Sequence, residues 1–294
     1  MAQTPLWALG KTVRDCWSEI RNILNPLIDT PFQGGPSTWS EDIELQINRA
    51  GFIEETHFTV AYSAVPDDTA TGGIGGVLAT VHEITEKVVG QRRITVLRDL
   101  GACTAEARTA AEACEISAAM MTPHLKDIPI ALLYVVDASG TQAHIAASCG
   151  VDEGAEIRPP VIHLDDSGGE RSSWPLAVAH RTGQMQVLRD PSSKFVAVPS
   201  GPWPAPPQIA AIVPIRSHVS RQTAGFLIAG VSSRLQFDEG YRNFLELAVT
   251  QIAAAVANVQ GYEEERRRAE ALAEIDWAKT AFFSNASHEF RTPQ

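Results

Sequence analysis

The residues best placed to do chemistry lie at the end of the chain, in the run Phe282-Phe283-Ser284-Asn285-Ala286-Ser287-His288-Glu289-Phe290-Arg291-Thr292-Pro293. A neutral imidazole near pH 7 keeps a lone pair for an electrophilic phosphorus, which a protonated lysine lacks. Phosphoryl transfer asks chiefly for an in-line nucleophile and neutralised charge; His288 offers the first. Glu289, its neighbour, can hold the proton of the other ring nitrogen as phosphate adds. Thr292 lies four residues on, one helical turn along the same face. Pro293 has no N–H and bends a helix just past the site. A lone histidine on a charged helix is ordinarily only a solvated residue, so the weight rests on the whole string. His-Glu is no zinc motif here, because no second histidine follows at the required spacing.

The string Ser287-His288-Glu289-Phe290-Arg291-Thr292-Pro293 resembles the H-box of two-component sensor histidine kinases, Ser-His-Glu-(aromatic or Leu)-Arg-Thr-Pro, at seven consecutive positions. That resemblance implies a phosphoacceptor role for His288, an acid/base role for Glu289 and a water-orienting role for Thr292 in the phosphatase direction. It also implies ATP-Mg as phosphoryl source in the intact parent, and a response-regulator aspartate as the next acceptor. The family usually continues with leucine where this chain ends at Gln294. A second dimerisation helix and an ATP-binding domain are missing from the sequence, so the chain is expected to accept phosphate and not to phosphorylate itself. It is expected to carry no cofactor of its own.

A histidine at a helix end needs a rod to hold it. From Asp238 to Thr292 there is no proline, and beyond Gly240 the one glycine is Gly261. Ala248, Ile252, Ala255, Val259 and Tyr262 keep a four-three spacing, the seam of a coiled coil. The seam resumes out of phase at Leu272, Ile275, Phe282 and Ala286, as a stutter near Gly261 would produce. A continuous helix of this length spans about 80 Å at roughly 1.5 Å per residue. Its alanine-rich stripe predicts a parallel homodimer.

Two α+β units precede the rod. Residues 11–30 have helical spacing, with Pro26 expected to kink or end the helix. Ile43, Leu45 and Ile47 alternate with Glu44, Gln46 and Asn48, a half-buried strand. Strands at 53–65 and 75–84 then complete an antiparallel meander. Residues 86–121 read as helical, stopped by Thr122-Pro123. A second set of strands follows at 130–136, 142–148, 209–215 and 223–231, with a short helix at 174–182. The second unit resembles a GAF domain. The first resembles the C-terminal half of a PAS domain, which has two further strands that this chain has no room for; the N-terminus is therefore expected to be a fragment or the sheet incomplete.

Composition narrows the field. A formal net charge of −11 argues against nucleic acid as principal partner, and Arg266-Arg267-Arg268 is neutralised by Glu263-Glu264-Glu265. No run reaches the roughly 18 apolar residues of a membrane span, and no signal peptide is legible, so a cytoplasmic protein is expected. Cys16, Cys103, Cys114 and Cys149 lack metal or redox spacing. Cys114 reads as a buried small hydrophobe, Cys149 as more open in a turn before Gly150. Asp127-Ile128-Pro129 matches the letters of a bilin-site signature, but its place before a strand fits turn chemistry. Gly72-Gly73-Ile74-Gly75-Gly76 precedes a strand and so is no dinucleotide cradle. Acids at Phe237-Asp238-Glu239 suit a helix N-terminus. His57, His82, His124, His144, His163, His180 and His218 show no ligand spacing, which leaves no metal site expected.

The resulting expectation is an α+β fold: a partial PAS-like antiparallel sheet (1–90), a linker helix (91–99), a GAF domain (100–260), and a coiled coil with the start of the HisKA phosphoacceptor helix (261–294). Its function would be the sensory and phosphoacceptor part of a histidine kinase, with an unidentified small-molecule signal. The alternative is a non-catalytic GAF/PAS small-molecule-binding regulatory module.

Overall fold

Strands that alternate apolar and polar residues need a cover on one side only, and helices supply it here. The computed structural model describes residues 10–48, 51–102, 107, 109–165, 174–217 and 222–257. They form two units, one from residues up to Ile94 with Ser233–Gln236, the other from Thr95 to Ser232 with the residues from Phe237 onward.

In the first unit β1 (Thr38–Asn48), β2 (Ile53–Pro66) and β3 (Ile74–Glu83) form an antiparallel sheet in the order β1-β2-β3. This is the meander that the alternation predicts. Leu45 and Ile47 join Ile20 and Leu24 in a small core flanked by Ile28, Ile43 and Phe58. The expected helix over 11–30 is three pieces: α1 (Val13–Cys16), a 3-10 turn at Ser18–Ile20, and α2 (Arg21–Phe32). Pro26 does not end it, and α2 runs through both Pro26 and Pro31. Each proline forfeits one N–H, while Ile20, Leu24 and Pro31 remain buried. Positive φ at Gly72 (93°) and Gly73 (76°) swings the chain into β3. On the face of β1 and β2 away from Leu45 lie Glu44, Glu55 and His57.

The helical run expected over 86–121 is interrupted. α3 (Thr85–Ala102) stops and α4 (Ala110–Met121) begins afresh. Thr109 is its N-cap, accepting a hydrogen bond from the Glu112 N–H at 3.1 Å. Both helices carry apolar residues at helical spacing, which is why the periodicity runs on across the gap.

The second unit holds a six-stranded sheet of β4 (Ala131–Val136), β5 (Gln142–Cys149), β6 (Val161–His163), β7 (Gln186–Arg189), β8 (Ile209–Arg216) and β9 (Thr223–Gly230). The order is β6-β5-β4-β9-β8-β7, with every pairing antiparallel. β4 and β9, both near-continuous apolar runs, take the centre, where both faces are covered. β6 and β7 escaped the sequence reading; at three and four residues they are too short to show a period. α4 packs on β4 and β5. The short helix α5 is Leu176–Thr182, ended by Gly183 at φ 61°, a conformation glycine adopts without strain.

The exit helix α6 spans 239–257. Asp238 caps it, its Oδ1 accepting from the Tyr241 N–H at 2.7 Å, so the acids there serve a helix start. The Tyr241 hydroxyl donates to the Asp127 carbonyl and accepts from the Ser232 N–H at 3.0 Å. Ala248, Ile252 and Ala255, read from sequence as a seam with a second copy, are buried within the folded chain itself. A helix docked on its own domain and a coiled-coil helix share that spacing. The rest of the predicted seam, from Val259 on, lies outside the described residues. Among the described residues no helix is long and apolar enough to cross a membrane.

Candidate functional site

The inner face of the second sheet is occupied by its own side chains. Leu132 and Tyr134 of β4, Ile212 of β8, and Phe226 and Ile228 of β9 meet Ile157, Trp174, Leu176 and Phe195 from the connecting segments. Trp174 and Phe195 stack with centroids 4.8 Å apart, and the Trp174 indole donates to the Ile157 carbonyl at 2.9 Å. The Tyr134 hydroxyl reaches the Pro159 carbonyl at 2.8 Å. Buried polar tips thus find backbone acceptors, and the layer is tied to the loops that cover it.

Open space lies at one end of this sheet. A cleft of about 830 Å³ is bounded by the β4–β5 turn (Asp137–Gly140), the end of α5 (His180–Gly183) and the facing ends of β8 and β9 (Arg216, Ser217, Gln222, Thr223). A second groove of about 380 Å³ shares Gly183, Arg216 and Ser217 and continues along Glu246, Val249 and Thr250 of α6. Arg216 donates to the Gly183 carbonyl, fixing a guanidinium where the two meet. Asp137 accepts from Ser139 and from the Thr141 and Gln142 N–H groups. The Ser139 hydroxyl first, with those backbone donors, holds the Asp137 carboxyl below the usual carboxylate range. His180 packs edge-on against Phe226, and its Nδ1 is buried with no protein partner. Hydroxyl, amide, imidazole and guanidinium groups around one opening suit a small polar molecule that presents acceptors.

Sequence reasoning gave none of these cleft residues a binding role, and His180 was among the histidines read as lacking ligand spacing. Arg216–Gln222 read as a bare hairpin connection, and no spacing brings it to the end of α5. Of the residues it did name, His288, Glu289 and Thr292 lie outside the described residues. Cys114 is fully buried, as its place on an apolar helix face suggests. Cys149 corrects the expectation of an open thiol: it ends β5 opposite Ala131 and is also buried. Asp127 and Ile128 are buried too, and Asp127 offers its carbonyl to Tyr241, an anchoring role. His57 departs most from a packing or surface residue, being buried between Asp42 and Glu55.

A family model described as "GAF domain" matches residues 107–257, the range that holds α4, all six strands, α5 and α6. The chain belongs to the GAF domain family. Among solved structures, the GAF domain of an Acinetobacter phosphoenolpyruvate-protein phosphotransferase is 16% identical, covering 57% of this chain and 95% of its own, at TM-score 0.41. A GAF domain from a Coxiella burnetii phosphoenolpyruvate-protein phosphotransferase is 14% identical, with 59% and 98% covered and TM-score 0.43. A free methionine-R-sulfoxide reductase from Neisseria meningitidis, solved with its substrate, is 18% identical, with 58% and 91% covered and TM-score 0.42. No curated protein matches the chain. The cleft around Arg216 is a polar concavity of the GAF unit.

Proposed function

We propose that the chain is the sensory and phosphoacceptor portion of a two-component histidine kinase, with the GAF unit as its small-molecule-binding regulatory part. The observation that carries this reading is the string Ser287-His288-Glu289-Phe290-Arg291-Thr292-Pro293 downstream of a helix that leaves a GAF unit. In this reading residues 1–90 are a partial PAS-like domain, 261–294 the coiled coil and start of the phosphoacceptor helix, and the cytoplasm the place of action. A polar ligand settling among His180, Arg216 and the Asp137 turn would alter how the GAF unit holds α6, and through it the presentation of His288. In the intact parent, a His288 ring nitrogen attacks the γ-phosphorus of ATP. The N–P bond forms as the P–O bond to ADP breaks, with Glu289 holding the proton of the other nitrogen. The phosphoryl group then passes to a response-regulator aspartate, and Thr292 orients water when the kinase runs as a phosphatase.

The test is the gene product read through the codons beyond Gln294 and incubated with labelled ATP. Acid-labile, alkali-stable phosphate on His288, lost in His288→Gln, is the expected result; a stop codon there, or label that persists in the variant, overturns it. A second reading, a non-catalytic GAF/PAS regulatory module, draws support from Ala248, Ile252 and Ala255 being packed inside the chain, which removes the first stretch of the dimer seam. The same codons separate the two, since the module needs no ATP-binding domain.

A further inference from the structure

The pairing of β1 with β2 sets Glu44 opposite His57, and Glu55, two residues before His57, falls on the same face by strand alternation. One ligand atom from each of Glu44, Glu55 and His57 lies within 4.8 Å of the other two. Glu55 and His57 are buried, and Glu44 is half-buried. The backbone beneath is pinned: the Glu55 N–H donates to the Arg234 carbonyl at 3.0 Å, and the Thr56 hydroxyl to the Leu45 carbonyl at 2.7 Å.

His57 is held between two carboxylates, one on each ring nitrogen. Asp42 Oδ1 lies 2.7 Å from Nδ1, and Glu55 Oε1 3.1 Å from Nε2. An ionised carboxylate only accepts, and a neutral imidazole has one N–H. The shorter contact takes it, so Nδ1–H donates to Asp42 and the Nε2 lone pair faces a carboxylate oxygen. In that tautomer Nε2 and the Glu55 carboxylate face each other as two lone-pair donors that one bound cation could share. Arg92 meets Glu55 through both oxygens, one of them the Oε1 that faces His57 and the other at 3.2 Å; it orients that carboxylate and offsets its burial.

We propose that Glu44, Glu55 and His57 bind a divalent transition-metal ion of the zinc class, with Nε2 as the nitrogen ligand. Asp42 on the opposite ring nitrogen is the outer carboxylate that fixes the tautomer of a metal-bound imidazole. One imidazole and two carboxylates suit Zn²⁺ or Co²⁺, and three protein ligands leave a fourth position for water. His57 is then a metal ligand, which linear spacing does not reveal because Glu44 reaches Glu55 and His57 only across a strand pair.

The experiment is a titration of the full chain, freed of metal by chelation, with Co²⁺ alone. One equivalent is expected to bind with visible d–d bands and without the near-ultraviolet band of thiolate ligation, which excludes the cysteines. Glu44→Gln, at a half-buried position, is expected to weaken binding by at least about tenfold, and Asp42→Asn by about 10- to 100-fold. Nitrogen-15 spectra of the unsubstituted chain make the result independent of whether variants fold: Zn²⁺ should shift Nε2 of His57 while Nδ1–H persists. No binding at millimolar Co²⁺, unchanged affinity in both variants, or a His57 ring carrying two N–H protons that Zn²⁺ leaves untouched overturns the site in favour of a plain imidazolium bridge.

Discussion

Cys114 and Cys149 are both buried, and desolvation pushes their thiols up, to about 12 and to about 11 respectively. Burial likewise raises the Tyr134 phenol. The folded chain therefore holds these protons more tightly than the unfolded one. Their contribution to stability is complete below an ordinary thiol value of 9.0 and is lost as pH climbs toward 12. The urea midpoint is expected to fall steadily above pH 9, and Cys114→Ala to flatten part of that slope. Peptide mapping after alkylation at pH 8 should find Cys16, the partly exposed thiol among the described cysteines, labelled before Cys114 or Cys149. Labelling of all three at one rate would count against this. Cys114 was legible, because helix periodicity alone buries it. Cys149 and His57 were not: one is closed by pairing with Ala131 and the other is bound across a hairpin, and such long-range pairings leave no local mark.

At the scale of elements, backbone proximity decides what a glycine does. Gly225 of β9 pairs with Val135, and a Cβ there would stand 2.3 Å from the Tyr134 carbonyl oxygen. Gly225→Ala must push the two central strands apart, at a cost of about 3 kcal/mol. Gly90 in α3 has nothing within 4 Å, so Gly90→Ala should add up to about 1 kcal/mol through helix propensity. Chemical denaturation of both variants checks the opposite signs. Strands long enough to alternate or to run apolar were readable, as β1, β2, β4, β8 and β9 were. What failed were breaks within a type: the Thr109 cap that divides α3 from α4, and the prolines that α2 absorbs. Local rules there are overruled by burial, which the sequence states only in aggregate.

For the whole molecule, a proposed coiled coil beyond residue 257 carries the dimer, since Ala248, Ile252 and Ala255 face inward. The full chain is expected to sediment as a dimer and residues 1–257 as a monomer. A dimer that survives that truncation would move the interface onto the folded units. The net charge of −11 is compatible with either and decides nothing here.

The way out of the GAF unit is also part of its floor. With Tyr241 tying the first turn of α6 to Asp127 and Ser232, and a face of small and branched residues wedged under the domain further on, α6 is not hung from the domain like a pendulum. It is masonry, and a crank set in masonry turns only when the wall does. In the proposed relay, a message leaving by this route must first rearrange the packing of the domain, so the proposed receptor and transmitter would answer to one cooperative unit.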